Sequence, residues 1–168
     1  MAATMEIHEM SGADAGTDKT SGTIRFKDAD DAIVDTNNPL VVPAADTIYS
    51  YTKKLRAYME DAPATQVSNF RWYTDGENSF GTGVAITVKN IGTTFGSQYK
   101  TAMADGADLF GKTSGSPLDG DGTDTGPFVP ADVDTYVGDI IELQMSVAST
   151  ASHGALSAEM LTFAYDEI

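Results

Sequence analysis

Apolar and polar residues alternate with period two again and again along this chain, and that pattern restricts the fold more than any other property it has. Successive side chains of a strand point to opposite faces, so period two marks a ribbon with one buried and one solvated side. In residues 4–10, Met5 and Ile7 alternate with Glu6 and His8; in 23–27, Ile24 and Phe26 alternate with Arg25 and Lys27. Over 47–60, Tyr49, Tyr51, Leu55, Ala57 and Met59 share a face with Lys53, and Ser50, Thr52, Lys54, Arg56 and Glu60 share the other with Tyr58. That run is twice the usual strand length of about six residues, so a bulge or bend is expected to divide it. Phe70 and Trp72 oppose Arg71 and Tyr73. Val84, Ile86 and Val88 oppose Thr87 and Lys89. Ile141, Leu143, Met145 and Val147 oppose Glu142, Gln144 and Ser146, and Leu161, Phe163 and Tyr165 fall together. A further edge strand is expected at 39–43, between Pro39 and Pro43.

Turn signals separate these runs: Asn37-Asn38-Pro39, Asp75-Gly76, Asn90-Ile91-Gly92 and Ser152-His153-Gly154. The expected fold is therefore all-β: an antiparallel sandwich or jelly roll of about eight strands. One short helix is expected at 96–107, where Tyr99 and Met103 stand at i, i+4. Residues 111–138, rich in Gly, Pro, Ser, Thr and Asp, are expected to form a long irregular excursion. The expected core contains Phe70, Trp72, Leu143, Met145, Leu161 and Phe163. Residues 11–22 hold only small and polar side chains apart from Lys19, and read as a soft joint. The division expected is an N-terminal strand and flexible arm (1–22) ahead of a sandwich domain (23–168). On that reading the arm adds Met5 and Ile7 to a neighbouring subunit's sheet, and its removal leaves a folded domain.

Composition narrows the function classes. At 168 residues the chain fits one ordinary domain. The net charge is −15, with 25 Asp+Glu against 10 Lys+Arg. Such a surface repels a polyanion, so nucleic acid is not expected as a partner. Lys112 is the only Lys or Arg beyond residue 100, which reads first as a solvated acidic surface that keeps the chain soluble and second as an acidic face docking on a basic partner. No apolar run reaches the roughly 18 residues of a membrane span, and the opening residues lack the basic start and apolar core of a secretory leader. Folding in the cytosol without membrane contact is the expectation. There is no cysteine, hence no disulfide, thiolate site or cysteine nucleophile.

Chemistry-bearing motifs are sparse. His8 lies in a strand and His153 in a turn, neither within a recognisable catalytic pattern. Neither the serine nucleophile elbow nor the phosphate-binding glycine loop is present, and Gly81-Thr82-Gly83 leads straight into a β-branched run. No catalytic residue and no cofactor are expected. Asp119, Asp121 and Asp124 alternate as calcium-loop ligands do, but Asp124 occupies the position of the required glycine and no closing glutamate follows. A hydrated acidic loop is the expected reading. Arg56 with Tyr58 and Arg71 with Tyr73 place an aromatic beside an arginine on outward faces, a composition typical of protein interfaces and equally compatible with cover by the loops at 91–138. Together with Met5 and Ile7 they are the candidate interface residues. Trp72 and Tyr73 also suggest an alternative, a stacking platform for a carbohydrate- or receptor-binding module.

The run from Ala64 to Gly76 (ATQVSNFRWYTDG), the following Phe80-Gly81-Thr82-Gly83-Val84, and the ending from Val147 to Asp166 resemble small virion proteins of tailed bacteriophages. Among these the chain is most similar to capsid decoration, or cement, proteins. The resemblance implies a non-enzymatic β-sandwich made in the host cytoplasm and carried in the virion. It also implies a homo-trimer whose partner is the major capsid protein. A tail-tube or head-to-tail connector subunit is the alternative within the virion, with 91–138 as its inserted loop.

Overall fold

A computed structural model describes residues 2–11 and 16–168. Ten strands form two antiparallel sheets, and α-helix is absent among the described residues. Sheet A runs β2 (Thr17–Asp18), β1 (Thr4–Glu9), β4 (Lys53–Asp61), β9 (Thr135–Ala148), β6 (Val84–Asn90), β7 (Ala107–Asp108), with β3 (Thr47–Tyr49) also paired to β9. Sheet B runs β10 (Thr162–Glu167), β5 (Val67–Tyr73), β8 (Leu118–Asp119). The all-β sandwich expected from period two is the fold. Six of the eight expected strands are present, one of them divided into β3 and β4, and the two-residue β2, β7 and β8 are additional.

The 14-residue β9 is the spine. One edge carries β4 and then β3, collinear; the other carries β6. Between β3 and β4 the expected bend falls at Ser50. Its N–H still donates to Met145 O (2.9 Å), but its hydroxyl rather than its carbonyl accepts from Met145 N–H (3.1 Å). A side chain has taken a ladder position, and the run breaks in two.

The inner faces match the alternation. Leu55, Val84, Ile86, Val88, Ile141, Leu143, Met145 and Val147 from sheet A pack with Trp72 from sheet B. A second cluster joins Met5, Ala57, Met59 and Val137 to Val67, Phe70 and Phe128. Phe70, Trp72, Leu143 and Met145 are buried as expected. Leu161 and Phe163 are only partly buried, because the cleft described below opens beside them.

Three expectations are corrected. Residues 96–107 form no helix. The sheet holds this segment extended: Thr52 N–H donates to Tyr99 O (3.0 Å), and Met103 N–H donates to Gln144 Oε1 (2.8 Å). Residues 23–27 and 39–43 form no strand, although Ile24, Phe26, Leu40 and Val42 pack on the core as alternation requires. The N-terminal strand, expected to reach a neighbour, lies inside its own sheet. There β1 sits between β2 and β4, with Met5 opposite Met59 and Ile7 opposite Ala57. Residues 12–15 of the expected joint lie outside the described residues; 17–18 pair back onto β1.

Candidate functional site

The candidate interface residues do not form one surface. On β4, Leu55, Ala57 and Met59 face the core, so Arg56 and Tyr58 stand on the outer face of sheet A. Arg56 donates from Nε to Gly138 O (2.8 Å) and pairs with Asp124 (3.1 Å). The Tyr58 ring stacks on His8 at 4.8 Å and meets Tyr136 edge-on at 5.2 Å. Arg71 and Tyr73 stand on the outer face of sheet B, where Arg71 pairs with Asp166 at 2.5 Å. Met5 is buried and Ile7 partly buried within the sandwich. Trp72, proposed as half of a stacking platform, is 2% exposed and packs against Phe163 at 4.7 Å. It belongs to the core, and no platform with Tyr73 exists on the surface.

The aspartates of the acidic loop point to protein partners. Asp124 pairs with Arg56, Asp121 accepts from Asn69 N–H (2.9 Å), and Asp119 accepts from Asp121 N–H (3.0 Å). Burial, with the Asp119 carboxylate adding, pushes the Asp121 carboxyl above its ordinary value. The loop is anchored by a residue that sequence patterning did not single out. Asp139 is 1% exposed and accepts from Thr123 N–H, Asp124 N–H (2.8 Å each) and Asn90 Nδ2 (2.7 Å). These backbone donors do for the loop what a cation does in a calcium loop.

Charge is also carried inward. Lys27, Lys53 and Lys54 are each 1% exposed. Lys53 pairs with the buried Glu9 (2.9 Å). Lys27 pairs with Asp31 (2.7 Å) and Asp35 (3.0 Å); the Asp31 hydrogen bond raises the Lys27 pKa most. Lys54 reaches Glu142 (3.4 Å), which also meets Lys89 (3.4 Å) and accepts from the Tyr99 hydroxyl (2.9 Å). Burial pushes the Lys54 pKa down, with Glu142 opposing, and pushes the Tyr99 pKa up. With these cations spent inside, the outer surface keeps the acids and few bases to balance them.

Between the sheets, on the side covered only by 20–26, 39–42 and 152–161, lies a cleft of about 1030 Å³. Its walls are the inner-face residues Leu55, Trp72, Ile86, Leu143 and Met145, together with Ile24, Phe26, Leu40 and Val42. Leu156 (39% exposed) and Met160 (79% exposed) stand at its rim, and Val41 (65% exposed) turns outward between Leu40 and Val42. The alternation that makes Leu40 and Val42 legible as inward-facing leaves Val41 outward, which was the available signal for this surface. Compared with protein-family models, curated proteins and solved structures, the chain matches none.

Proposed function

We propose that this protein is a non-enzymatic virion component of a tailed bacteriophage that binds the major capsid lattice from outside, as a homo-trimer, and stabilises it. The observation that carries the reading is the apolar mouth of the inter-sheet cleft. Leu156 and Met160 are exposed at it in a chain whose net charge is −15. Exposed aliphatic side chains grouped at one opening, within a strongly charged surface, are typical of a partner-covered patch. The acidic surface supports the same reading, because like charge keeps free copies apart until a repeating lattice multiplies modest single contacts.

The test is co-sedimentation of the purified protein with capsids of the phage that encodes it, alongside immunogold labelling of virions. Saturable binding and label on the head are expected, with Met160→Asp and Leu156→Asp weakening binding while the fold persists. Label confined to the tail, or no binding by a folded protein, overturns the proposal. A monomer by light scattering overturns the trimer.

A further inference from the structure

On the outer face of sheet A, where β2, β1 and β4 lie side by side, Glu6, His8 and Asp18 turn one ligand atom each towards a common point. An imidazole nitrogen and two carboxylate oxygens lie within 4.8 Å of one another. The backbone dictates this meeting. Glu6 and His8 are two apart on one face of β1, and the β1–β2 register sets Asp18 directly opposite His8.

Three properties distinguish the group from a solvated acidic patch. The imidazole is fixed: His8 is 9% exposed, stacks on Tyr58 at 4.8 Å, and holds Nδ1 3.1 Å from the Tyr136 hydroxyl. That leaves Nε2 aimed at the carboxylates, 2.7 Å from Glu6 Oε2. A hydrogen-bonding partner on the second ring nitrogen is how metal-binding histidines are oriented. Carboxylates crowd the group: Glu60 lies against Glu6. Finally, among the described residues no lysine or arginine forms an ion pair with Glu6, Asp18 or Glu60. Arg56, opposite His8, turns away to Gly138 O and Asp124.

We propose that Glu6, His8 and Asp18 bind a divalent transition-metal cation of the zinc type, and that the ion fastens the N-terminal hairpin β1–β2. Zinc takes imidazole nitrogen and carboxylate oxygen at about 2.0–2.2 Å, which sets neighbouring ligand atoms about 3.4 Å apart in a tetrahedron. The ligand atoms already lie on either side of that spacing, so small side-chain rotations suffice. Glu60 stands beside Glu6 to supply a further carboxylate. The imidazole selects against calcium, which takes oxygen ligands.

The experiment is calorimetric titration of the full chain with zinc chloride, with calcium chloride as the second arm and the melting temperature followed in parallel. One zinc per chain is expected, with a raised melting temperature, and no calcium heat at the same concentration. Asp18→Asn keeps the Oδ1 acceptor for Thr20 N–H (2.8 Å) and leaves the exposed edge intact, yet should weaken zinc by about tenfold or more. His8→Gln and Glu6→Gln should do the same, and Tyr136→Phe should weaken it by about tenfold through the ring's orientation alone. Absence of one-to-one zinc binding in the wild type overturns the proposal. So does zinc affinity unchanged in folded Asp18→Asn, whether or not the His8 variant folds.

Discussion

Replacing Glu142 by Gln removes one charge from the most heavily connected buried ion group. Glu142 is 2% exposed and lies 3.4 Å from Lys54, 3.4 Å from Lys89 and 2.9 Å from the Tyr99 hydroxyl. At that separation a unit pair interacts by roughly 5 kcal/mol if the local dielectric is about 20. Lys54, 1% exposed, then keeps the carbonyls of Gly96 (3.2 Å) and Ser97 (2.9 Å), the Phe95 ring and the charge of Asp30. Tyr99 can still donate to the amide, and Lys89, 27% exposed, can turn to water. The net expected loss is therefore about 3 kcal/mol, at the low end for stranding one partner of a buried pair. With a urea slope of about 2 kcal/mol/M, the unfolding midpoint should fall by roughly 1.5 M. The paired change Lys54→Met with Glu142→Gln leaves no stranded charge, keeps an acceptor for the Tyr99 hydroxyl and should recover about half or more of that loss. A single-variant loss below about 1 kcal/mol would refute the reasoning, since Lys54 would then shed its proton or reach water at little cost.

Gly138→Ala should be severe, because φ is +68° and a Cβ would stand 2.4 Å from Phe70 Cδ2 and 2.8 Å from Gly120 O. Gly81→Ala, at φ +86° with open space, should cost only about 1 kcal/mol, and equal losses in urea titrations would contradict the placement of β9 over Phe70. Deleting residues 1–22 should yield a chain without a cooperative thermal transition, because it removes an internal strand and leaves Lys53 without Glu9; a truncated protein as stable as the full chain would restore the detachable arm. In acid, Asp35, held below 3.8 chiefly by the Lys27 hydrogen bond, and Asp166, held below 3.8 by Asn69 and then Arg71, contribute stability that is present above 3.8 and lost as pH falls through their folded values. Glu60, raised above 4.5, instead returns stability as pH falls through its folded value towards 4.5. The urea midpoint should thus hold until about pH 4 and then drop, with Asp35→Asn flattening the drop.

Alternation located the long strands because each buries one face, and the face assignments for β4, β5, β6 and β9 hold. It failed where the partner was not another strand. Residues 23–27 and 39–43 bury Ile24, Phe26, Leu40 and Val42 as a strand would, but no ladder reaches them, and periodicity reports packing rather than pairing. The i, i+4 spacing of Tyr99 and Met103 suggested a helix, yet each is held by a different group of the sheet, Thr52 and Gln144. Consecutive buried lysines at 53 and 54 could not be read at all, since one pairs with Glu9 and the other with Glu142, far apart in sequence. Of the metal-type group, the Glu6–His8 spacing on one face was visible. Asp18 was not, because its position depends on the register in which β2 pairs with β1.

The placement of β9 has a consequence for the order in which the protein is made. Its strand partners β3, β4 and β6 all precede it, and β4 ends at Asp61, roughly 70 residues before β9 begins at Thr135. At a synthesis rate of about 5–20 residues per second, β4 waits several seconds beside β1 with its other edge unpaired. Non-local pairing of this kind also folds slowly, on the order of milliseconds to seconds once the chain is complete. During that interval an open edge of apolar alternation is exposed to other nascent copies. Lys54 and Arg56, charged while the edge waits and bound to Glu142 and to Gly138 O once β9 arrives, guard it against the wrong strand.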